Sequence, residues 1–524
     1  MGFFAWHKDW KNLMTQSFLG FLGKISFARI VVLGFAVAIG IGSLILFLTE
    51  GGSLRYVDAL FLSASALCVT GLSPVPVSDL SHGTHWVLLV LIQLGGLGII
   101  SVTVVIGFLV KQGLSRNTKF HKFVTTVIDQ EDSGKNDLDG SHILRILRAV
   151  VSISFFLEAL GALVFYFKFP IGVEGFGSRV FLCVFTSISA FNNAGFSLLS
   201  DASFLKESPA SLYLVSILVI LGGIGFPVII LMEKWLLTLL YQFTNKVEVA
   251  AETVLLHLIV KGKLGKLAEK WLEKPAELSY RLLNRIEDYN VHLYGESNLV
   301  QTKIILSGTA FLLTFGTLGI FFYEYNNFGT LQTMDFWDKV ANSFFLSVCS
   351  RTAGFSTIDL GQMMDPSIVL ITMLMFIGGG PQGTAGGIKL TTFALLFAYI
   401  RNVIKPANNV TVFGGTISKN SLAIAIRVYF LGTIMLAGLF LILVSIDPEK
   451  HGLQRSFFEL ISAFSTVGYS LGLTSELHDI EKLGYTCIML GGRVGIFTML
   501  IAFTGHSGVP KIGEEDNDIK IQLG

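Results

Sequence analysis

The sequence has few charged residues. Only 14% of its 524 residues are Asp, Glu, Lys or Arg, whereas 52% are hydrophobic. A soluble domain carries about 25% charged residues. This composition therefore excludes a protein whose whole surface faces water, and it indicates a chain embedded in lipid.

Cysteine is also scarce, and its four positions are scattered: Cys68, Cys183, Cys349 and Cys487. No CxxC pair or Cys/His cluster occurs, which argues against zinc, an iron–sulfur cluster or a disulfide framework. We expect all four thiols to be buried. No apolar helix is rich in arginine, so a voltage sensor is disfavoured.

What the sequence does contain is glycine, in a phrase that recurs four times. A large apolar residue and a serine follow the glycine in each phrase: Gly71-Leu72-Ser73, Gly195-Phe196-Ser197, Gly354-Phe355-Ser356 and Gly468-Tyr469-Ser470. A second glycine cluster follows 23 to 27 residues later inside an apolar run: Gly95-Gly96, Gly222-Gly223, Gly378-Gly379-Gly380 and Gly491-Gly492. A single chain can build a ring around an axis from four such repeats, so we expect four equivalent units.

Eight stretches are long and apolar enough to span a bilayer, which takes about 20 residues. They are 30–48, 86–110, 149–167, 211–232, 304–323, 367–400, 428–446 and 485–505. They fall into pairs, and a shorter half-apolar stretch between the members of each pair runs into a glycine phrase: 57–69, 179–193, 336–352 and 456–467. The predicted fold is an all-α integral membrane protein of four helix–pore-loop–helix repeats, with eight transmembrane helices and four re-entrant pore helices around a pseudo-fourfold pore.

Polar segments separate the predicted repeats. Repeats one to four cover 30–110, 149–232, 304–400 and 428–505. The remaining segments (an N-terminal tail 1–29, loops 111–148, 233–303 and 401–427, and a C-terminal tail 506–524) hold 27 of the 38 lysines and arginines. This asymmetry predicts that both termini and these loops are cytoplasmic. Amphipathic helices are predicted at 247–258 and 267–288. The opposite side holds 17 acidic residues, which would concentrate cations; those close after the glycine phrases are Asp79, Asp201, Asp359 and Glu476.

The glycine turns carry the predicted ion site. Main-chain carbonyl oxygens can replace the hydration shell of K⁺ when several point at one axis, and glycine permits the backbone angles and close approach that this requires. Each short helix also directs its partially negative end at the same place. The predicted K⁺ filter comprises Val69, Thr70, Gly71, Asn193, Ala194, Gly195, Thr352, Ala353, Gly354, Thr466, Val467 and Gly468.

The third of the second glycine clusters differs from the others. The segment 378–387 has six glycines and a proline in ten residues, so it cannot stay helical and must break the span 367–400. A loop just below a filter suits a gate; a static break that shields the pore is the alternative. The predicted gate residues are Gly378, Gly379, Gly380, Gln382, Gly383, Thr384, Gly386, Gly387 and Arg493. For the first two clusters we favour close helix packing. The run is not a phosphate-binding loop, because it lacks the adjacent Gly-Lys and the Ser/Thr that follows.

Ionisable residues within the predicted spans indicate function or structural ties, because they are costly in lipid. Arg493 is expected to hydrogen-bond the carbonyls of the broken loop and to set a positive barrier, or to tie helices together. Glu158 and Glu459 are expected to accept hydrogen bonds from amides of a neighbouring turn. Lys389 would extend towards the cytoplasmic edge, and Arg351 would make a scaffold contact.

Together these residues resemble the bacterial Trk/Ktr and plant HKT superfamily of cation transporters. The resemblance rests on 191–196, 350–355 and 465–469 around the turns, on the loop 378–389, and on Gly492-Arg493-Val494-Gly495. It covers about 30–505. No further pair of apolar helices precedes repeat one in this sequence, which favours a Ktr-type membrane subunit.

The resemblance implies K⁺ uptake at the plasma membrane, with Na⁺ in some members, and no enzymatic activity, organic cofactor or nucleic-acid partner. It also implies a homodimer in lipid and a cytoplasmic ring of nucleotide-binding (RCK-type) regulatory subunits. Glycine at all four filter positions is similar to the K⁺-preferring pattern, since Na⁺-preferring members have serine at the position of Gly71.

Two other classes stay open from the residues alone. A secondary transporter with alternating access would also contain repeats and broken helices, although such folds usually contain inverted pairs. A membrane enzyme would need a catalytic constellation at membrane depth, and the sequence offers none that we recognise.

Overall fold

The computed structural model describes residues 27–111, 140–168, 175–199, 209–260, 296–446, 452–504 and 521. In these ranges the chain is almost entirely helical. Repeat one contains α1 (Phe27–Thr49), α2 (Tyr56–Leu67) and α3 (His82–Lys111), and repeat two contains α4 (Gly140–Lys168), α5 (Phe176–Phe191), α6 (Pro209–Ile224) and α7 (Phe226–Val260). Repeat three contains α8 (Glu296–Glu324), α9 (Phe336–Cys349), α10 (Asp365–Phe376) and α11 (Leu390–Ile404). Repeat four contains α12 (Lys419–Ile446), α13 (Leu453–Phe464), α14 (Asp479–Val494) and α15 (Ile496–Thr504).

The first and short helices of repeats one to three pack through a small-residue contact. A serine of the short helix lies against a glycine of the first helix; the pairs are Ser63 with Gly42, Ser187 with Gly161, and Ser347 with Gly316. Each serine hydroxyl donates to the carbonyl three residues before that glycine, at Ile39 (2.9 Å), Glu158 (2.6 Å) and Leu313 (3.0 Å). This contact fixes the depth of the short helix, because a larger residue in place of either partner would separate the two backbones.

The second helix of every repeat is interrupted, whereas the sequence predicted a break in repeat three alone. Gly98, Gly225 and Gly495 have positive φ angles of 65°, 92° and 90° at the breaks in repeats one, two and four. Each of these glycines stands two or three residues after the second glycine cluster, and its positive φ is a conformation that glycine adopts readily. In repeat three the break is the whole segment between α10 and α11.

These interruptions also correct the prediction of eight spanning helices. Five helices within the described residues are long and apolar enough to cross a bilayer: Ala28–Thr49, Arg148–Lys168, Phe226–Phe243, Asn298–Glu324 and Lys419–Ile446. The predicted stretches 211–232, 367–400 and 485–505 are each divided into two shorter helices at their glycines. The apolar runs are present, but their backbone does not continue as one helix.

The predicted polar segments contain more regular structure than expected. Segment 401–427 holds an antiparallel hairpin of β1 (Thr411–Val412) and β2 (Gly415–Thr416), and α12 already begins at Lys419. Helix α7 continues to Val260, so the helix predicted at 247–258 is confirmed. The helix predicted at 267–288, most of loop 111–148 and nearly all of both tails lie outside the described residues.

The chain divides into two compact bodies, one of 1–225 with 304–524 and one of 226–303. The first body contains all four glycine turns and the broken segment of repeat three. The second contains α7 and the start of α8, which line a small cavity at Ile230 and Thr302. Of the four thiols, Cys68, Cys183 and Cys349 are buried as expected, whereas Cys487 on α14 is exposed.

Candidate ion site

All four glycine turns share one strained backbone conformation. The residue two positions before each glycine lies in the left-handed region: φ is 58° at Val69, 59° at Asn193, 79° at Thr352 and 50° at Thr466. These are four of the six non-glycine residues with positive φ in the described part of the chain. The conformation is costly for such side chains, above all the β-branched Val and Thr. Its recurrence at four equivalent positions marks the turns as a functional site.

In three turns the main-chain amides point back to the short helix. Each short helix ends four residues before its glycine, and the amide of the residue preceding the glycine donates to a carbonyl five residues earlier. These bonds join Thr70 to Ser65 (2.7 Å), Ala194 to Ser189 (2.7 Å) and Val467 to Ser462 (2.8 Å). They correspond to the helix-ending Schellman pattern. Because the amides are used in this way, the carbonyl groups of the turns are left to face elsewhere.

The turns form a closed ring. A methyl group built on each glycine would overlap the carbonyl oxygen of the residue preceding the glycine of another turn: Gly71 meets Ala194, Gly195 meets Ala353, Gly354 meets Val467 and Gly468 meets Thr70. Turn one therefore touches turn two, two touches three, three touches four, and four returns to one. No residue with a Cβ atom fits at any of the four positions without moving backbone.

The side chains next to the four glycines are buried. The side chains of the two residues before each glycine are fully buried: Val69, Thr70, Asn193, Ala194, Thr352, Ala353, Thr466 and Val467. The four glycines themselves are half-buried. Within the described residues there is no cluster of three His, Cys, Asp or Glu side chains that could hold a metal. The polar groups that neighbouring glycine turns share at the ring are main-chain carbonyl oxygens, the ligand type that suits K⁺.

Side chains brace the ring from outside. The Tyr469 hydroxyl of turn four donates to Phe355 O (3.0 Å), and the Asn193 amide and Thr352 hydroxyl are hydrogen-bonded at 3.1 Å. Glu459, which is fully buried, accepts from the amides of Leu471 (3.3 Å) and Thr474 (2.9 Å) beyond turn four, as predicted. These contacts link neighbouring turns or fix the chain that leaves them.

Glu158 binds different groups from those predicted. Its Oε1 atom accepts from two side-chain amides, Gln93 Nε2 (3.0 Å) and Asn192 Nδ2 (2.9 Å), rather than from main-chain amides. Asn192 immediately precedes turn two, and Gln93 belongs to repeat one. The carboxylate therefore joins two repeats beside the ring. The sequence contained no periodic signal for these partners, because Gln93 lies in α3, Glu158 in α4 and Asn192 just after the end of α5.

Turn three departs from the other three. Its short helix ends at Cys349, five residues before the glycine, and the amides of Ala353 (3.0 Å) and Gly354 (3.1 Å) both donate to Cys349 O. From the packing serine of the short helix to the glycine there are eight positions in repeats one and two, but seven from Ser347 to Gly354. The shorter connection shifts the hydrogen bonds of this turn by one residue.

The second glycine clusters let a helix touch the end of a short helix, as predicted for the first two. A methyl group on Gly95, Gly222 or Gly492 would overlap the carbonyl oxygen of Leu67, Phe191 or Phe464, respectively. These three carbonyls belong to the last residues of α2, α5 and α13. The glycines therefore hold the inner ends of the short helices in place.

The broken segment of repeat three lies directly against the ring. At its two ends, Gly378 N donates to Ile388 O (2.8 Å) and Leu390 N to Gly379 O (3.0 Å); we call these paired ends the neck. Its middle is tied to repeat two, where Gly222 O and Gly223 O accept from Thr384 N (3.1 Å) and Gly380 N (2.8 Å).

On the far side the same segment meets repeat four. Gly387 N donates to Gly492 O (3.2 Å), and a methyl group on Gly386 would overlap the side chain of Thr466 in turn four. Gln382 is half-buried with a φ of 57°, and Gly383 packs beside Gly222. The predicted gate residues are therefore brought together, next to the predicted filter residues.

Three cationic side chains donate to carbonyls of this loop. Arg493 donates to Thr384 O and also to Gly95 O of repeat one. Arg351 donates to Gly378 O (3.0 Å), the scaffold contact that was predicted. Lys389 donates to Ala385 O (2.5 Å) instead of extending towards the cytoplasm. The reason is its position at the start of α11, fifteen residues from the far end of that helix.

Of the acidic residues predicted to lie near the outer mouth, Asp79, Asp359 and Glu476 are exposed, and Asp201 lies outside the described residues. Asp359 accepts from Gly361 N (2.9 Å), which gives it a local capping role as well.

Comparison with known proteins gives a consistent result. A family model described as TrkH, cation transport protein, matches residues 13–260 and 300–508. The chain is 30% identical to Ktr system potassium uptake protein B of Bacillus subtilis, over 91% of this chain and 92% of that protein. It is 28% identical to the potassium/sodium uptake protein NtpJ of Enterococcus hirae, over 91% and 93%. The crystal structure of the potassium transporter TrkH from Vibrio parahaemolyticus matches with a TM-score of 0.61 at 18% identity, over 90% of this chain and 83% of that one, a likeness of fold.

Proposed function

Because the chain belongs to the TrkH family of cation transport proteins, with relatives of Ktr type, we propose that it takes up K⁺ across the plasma membrane through the ring of four glycine turns. The family transports ions and is not a family of enzymes. The observation that carries the proposal is the closed ring, in which each glycine abuts a carbonyl of the next turn. The four-repeat arrangement around a pseudo-fourfold pore is part of this proposal.

Selectivity follows from the ligands. Carbonyl oxygens that replace water around K⁺ favour an ion that gives up its hydration shell readily. Uptake then needs no covalent chemistry, because the membrane potential supplies about 2.3 kcal/mol per charge per 100 mV. Na⁺ is a second candidate ion, since one relative is described as a potassium/sodium uptake protein.

Gating is assigned to the loop 378–387 with Arg493. The loop lies against turn four, and its position is held by hydrogen bonds to repeats two and four. The Arg493 cation opposes the passage of K⁺ beside it. Displacement of the loop would open the path and move that charge.

The assembly is proposed on the Ktr-type likeness. Proteins described as parts of a Ktr system are relatives of this chain, which supports a membrane subunit that works with a separate regulatory subunit at its cytoplasmic face. We place both termini on that face because of the lysine and arginine asymmetry, and we propose a homodimer in the lipid.

The test is K⁺ uptake in a cell that lacks its own K⁺ uptake systems, measured with and without a regulatory subunit. The wild-type chain should restore growth at low K⁺, and Gly71→Ser should lower the K⁺ over Na⁺ preference by about tenfold, because a side chain must displace Ala194 O of the ring. Unchanged ion ratios in Gly71→Ser would contradict the assignment of the filter.

Alternating access is a second candidate, favoured by one observation: the second helix is broken in all four repeats. Broken helices near a midplane site are typical of secondary transporters. Single-channel recording separates the two candidates, since unitary currents support a channel and their absence, with saturating coupled flux, supports alternating access.

A further inference from the structure

Turn three carries a buried arginine where the other turns carry small or neutral residues. Three positions before the glycine stand Cys68, Asn192 and Ser465 in turns one, two and four, and Arg351 in turn three. Arg351 is only 7% exposed. It directly precedes Thr352, the residue of this turn with left-handed backbone.

The guanidinium group connects this turn to the broken loop. Among the described residues, its one side-chain hydrogen bond runs from Nη2 to Gly378 O at 3.0 Å, and its Nε has no partner. Gly378 belongs to the neck, since its amide donates to Ile388 O. Arg351 therefore holds the neck of the loop, whereas Arg493 holds its middle at Thr384.

The charge of Arg351 is not balanced by an acid from the loop or its flanking helices. No Asp or Glu occurs between positions 366 and 446, a stretch that includes most of α10, the loop, α11 and α12. A buried cation without a carboxylate depends on carbonyl dipoles for its stability. The bond to Gly378 is thus worth more than a surface hydrogen bond, because its loss leaves the cation without that partner.

The neck also has space beside it. A small cavity is lined by Arg351 and Gly379 together with apolar side chains of α6 and α8, among them Val219 and Leu313. Since protein interiors are otherwise closely packed, this void is where the neck can shift with little steric cost.

We propose that Arg351 is a positioning residue that couples the loop to the ring: it ties turn three to the neck, so that the loop cannot move without altering that turn. This inference rests on the proposed gate and deepens it. It also gives a role to the residue that sets turn three apart, since the equivalent positions Cys68, Asn192 and Ser465 carry no charge.

The experiment compares Arg351→Gln with the wild type in the full chain, with and without deletion of 383–385 in the middle of the loop. With the loop intact, Arg351→Gln should raise the maximal rate of K⁺ uptake by about threefold to tenfold, since loss of one charge-assisted bond shifts a two-state equilibrium by that order. The half-saturating K⁺ concentration should stay unchanged. In the deletion background the substitution should add little, because the loop it restrains is already shortened.

Equal effects of Arg351→Gln in both backgrounds would overturn the proposal, since a purely electrostatic or scaffold role does not depend on the loop. A changed K⁺ over Na⁺ ratio with an unchanged rate would overturn it too, by confining Arg351 to the filter. Arg351→Lys keeps the charge and should give an uptake rate between those of the wild type and Arg351→Gln. If Arg351→Gln does not reach the membrane, Arg351→Lys is compared with the wild type in the same two backgrounds. A wild-type uptake rate in Arg351→Lys would then overturn the proposed coupling.

Arg29→Gln is the matched control. Arg29 also donates from a guanidinium nitrogen to a main-chain carbonyl, but that carbonyl is Ala502 O of α15, at 2.6 Å, and not one of the loop. Its uptake should stay within about twofold of wild type. If the wild-type chain itself carries no K⁺, the proposed function fails; if the wild type carries K⁺ and Arg351→Gln has no effect, this inference alone fails.

Discussion

The second helix is interrupted in one way in repeat three and in another way in the other three repeats. In repeats one, two and four a single glycine with positive φ interrupts the second helix, and a second glycine receives the end of the short helix. In repeat three the interruption is the 13-residue segment 377–389, and the spacing from the packing serine of the short helix to the glycine of the turn is one residue shorter. The comparison shows that all four turns keep the same glycine contacts although turn three differs in its hydrogen bonds. The larger difference lies in the interrupted second helix of repeat three. The asymmetry that a gate needs is concentrated there.

The largest effect should come from replacing a glycine of the four turns, the feature that all four repeats share. Gly468→Ala places a methyl group on Thr70 O and Gly71 Cα in a residue whose φ is 93°, so we expect K⁺ uptake to fall by about a hundredfold. Gly40→Ala is the control: Gly40 lies within α1 with no atom near its Cβ position, and the change should be neutral or stabilise the helix by up to about 1 kcal/mol. Both are measured by uptake and by thermal unfolding in detergent. Comparable uptake in the two variants would show that the ring does not need its glycines.

A smaller effect is expected from shortening the loop 378–387, which only repeat three has. Deletion of 383–385 eliminates the contacts of Thr384 with Gly222 and Arg493, and should raise the uptake rate by about tenfold because the loop no longer blocks the path. The readout is initial K⁺ or Rb⁺ flux at equal protein level in the membrane. A rate equal to wild type would mean that the loop is a static break.

The next prediction tests the arginine that connects the loop of repeat three to repeats one and four. Arg493→Ala removes the bonds to Thr384 O and Gly95 O, so it should change the uptake rate by about threefold or more while leaving the proposed homodimer intact. Arg455→Ala, which breaks an exposed pair with Glu476 at 3.2 Å, serves as the control and should leave both unchanged. Size-exclusion chromatography is run beside the flux assay. Loss of the dimer without a change in flux per dimer would favour a purely structural arginine.

The smallest effect compares equivalent acids of repeats one and three. Glu50 accepts from Ser81 N (2.8 Å) and Glu324 from Met364 N (2.9 Å), so each acid at the outer end of a first helix caps the start of the second. Burial acts to raise the pKa of Glu50, but hydrogen bonds from Thr84, Ser81 and Ser53 outweigh it and lower that pKa. Its stabilising effect is therefore present above the ordinary glutamate pKa and is lost as the pH falls through the lowered value.

Glu50→Gln should accordingly cost less than about 1 kcal/mol of stability at neutral pH, since Glu50 is only half-buried, and its difference from wild type should disappear in acid. Glu324→Gln should cost more, about 1–3 kcal/mol, because Glu324 is fully buried and also accepts from Thr330 Oγ1 at 2.6 Å. Thermal unfolding as a function of pH measures both. A Glu50→Gln defect that grows in acid would contradict the direction of the pKa shift.

The ring was predictable from the sequence, because a glycine motif that occurs four times at similar distances from apolar stretches predicts four equivalent turns around one axis. The interruptions at Gly98, Gly225 and Gly495 were not predicted, since a glycine cluster in an apolar run suits close packing and a helix break equally well. The glycine that stands two or three residues after each cluster was the available signal, because glycine tolerates the positive φ of such a break. The partners of Glu158 and Lys389 could not be derived, because they depend on which helices meet in space. The shorter spacing from Ser347 to Gly354 was readable, and aligning the packing serines would have revealed it.

A ring drawn from one polypeptide fixes its own stoichiometry. When a ring assembles from four identical subunits, a substitution in the subunit appears in every quadrant. If mutant and normal subunits are expressed together, rings of mixed composition form. Here Gly354 or Arg351 can be altered in one quadrant alone, and every molecule made from that gene is identical. Evolution can therefore modify one quarter for regulation while the other three continue to hold the ion.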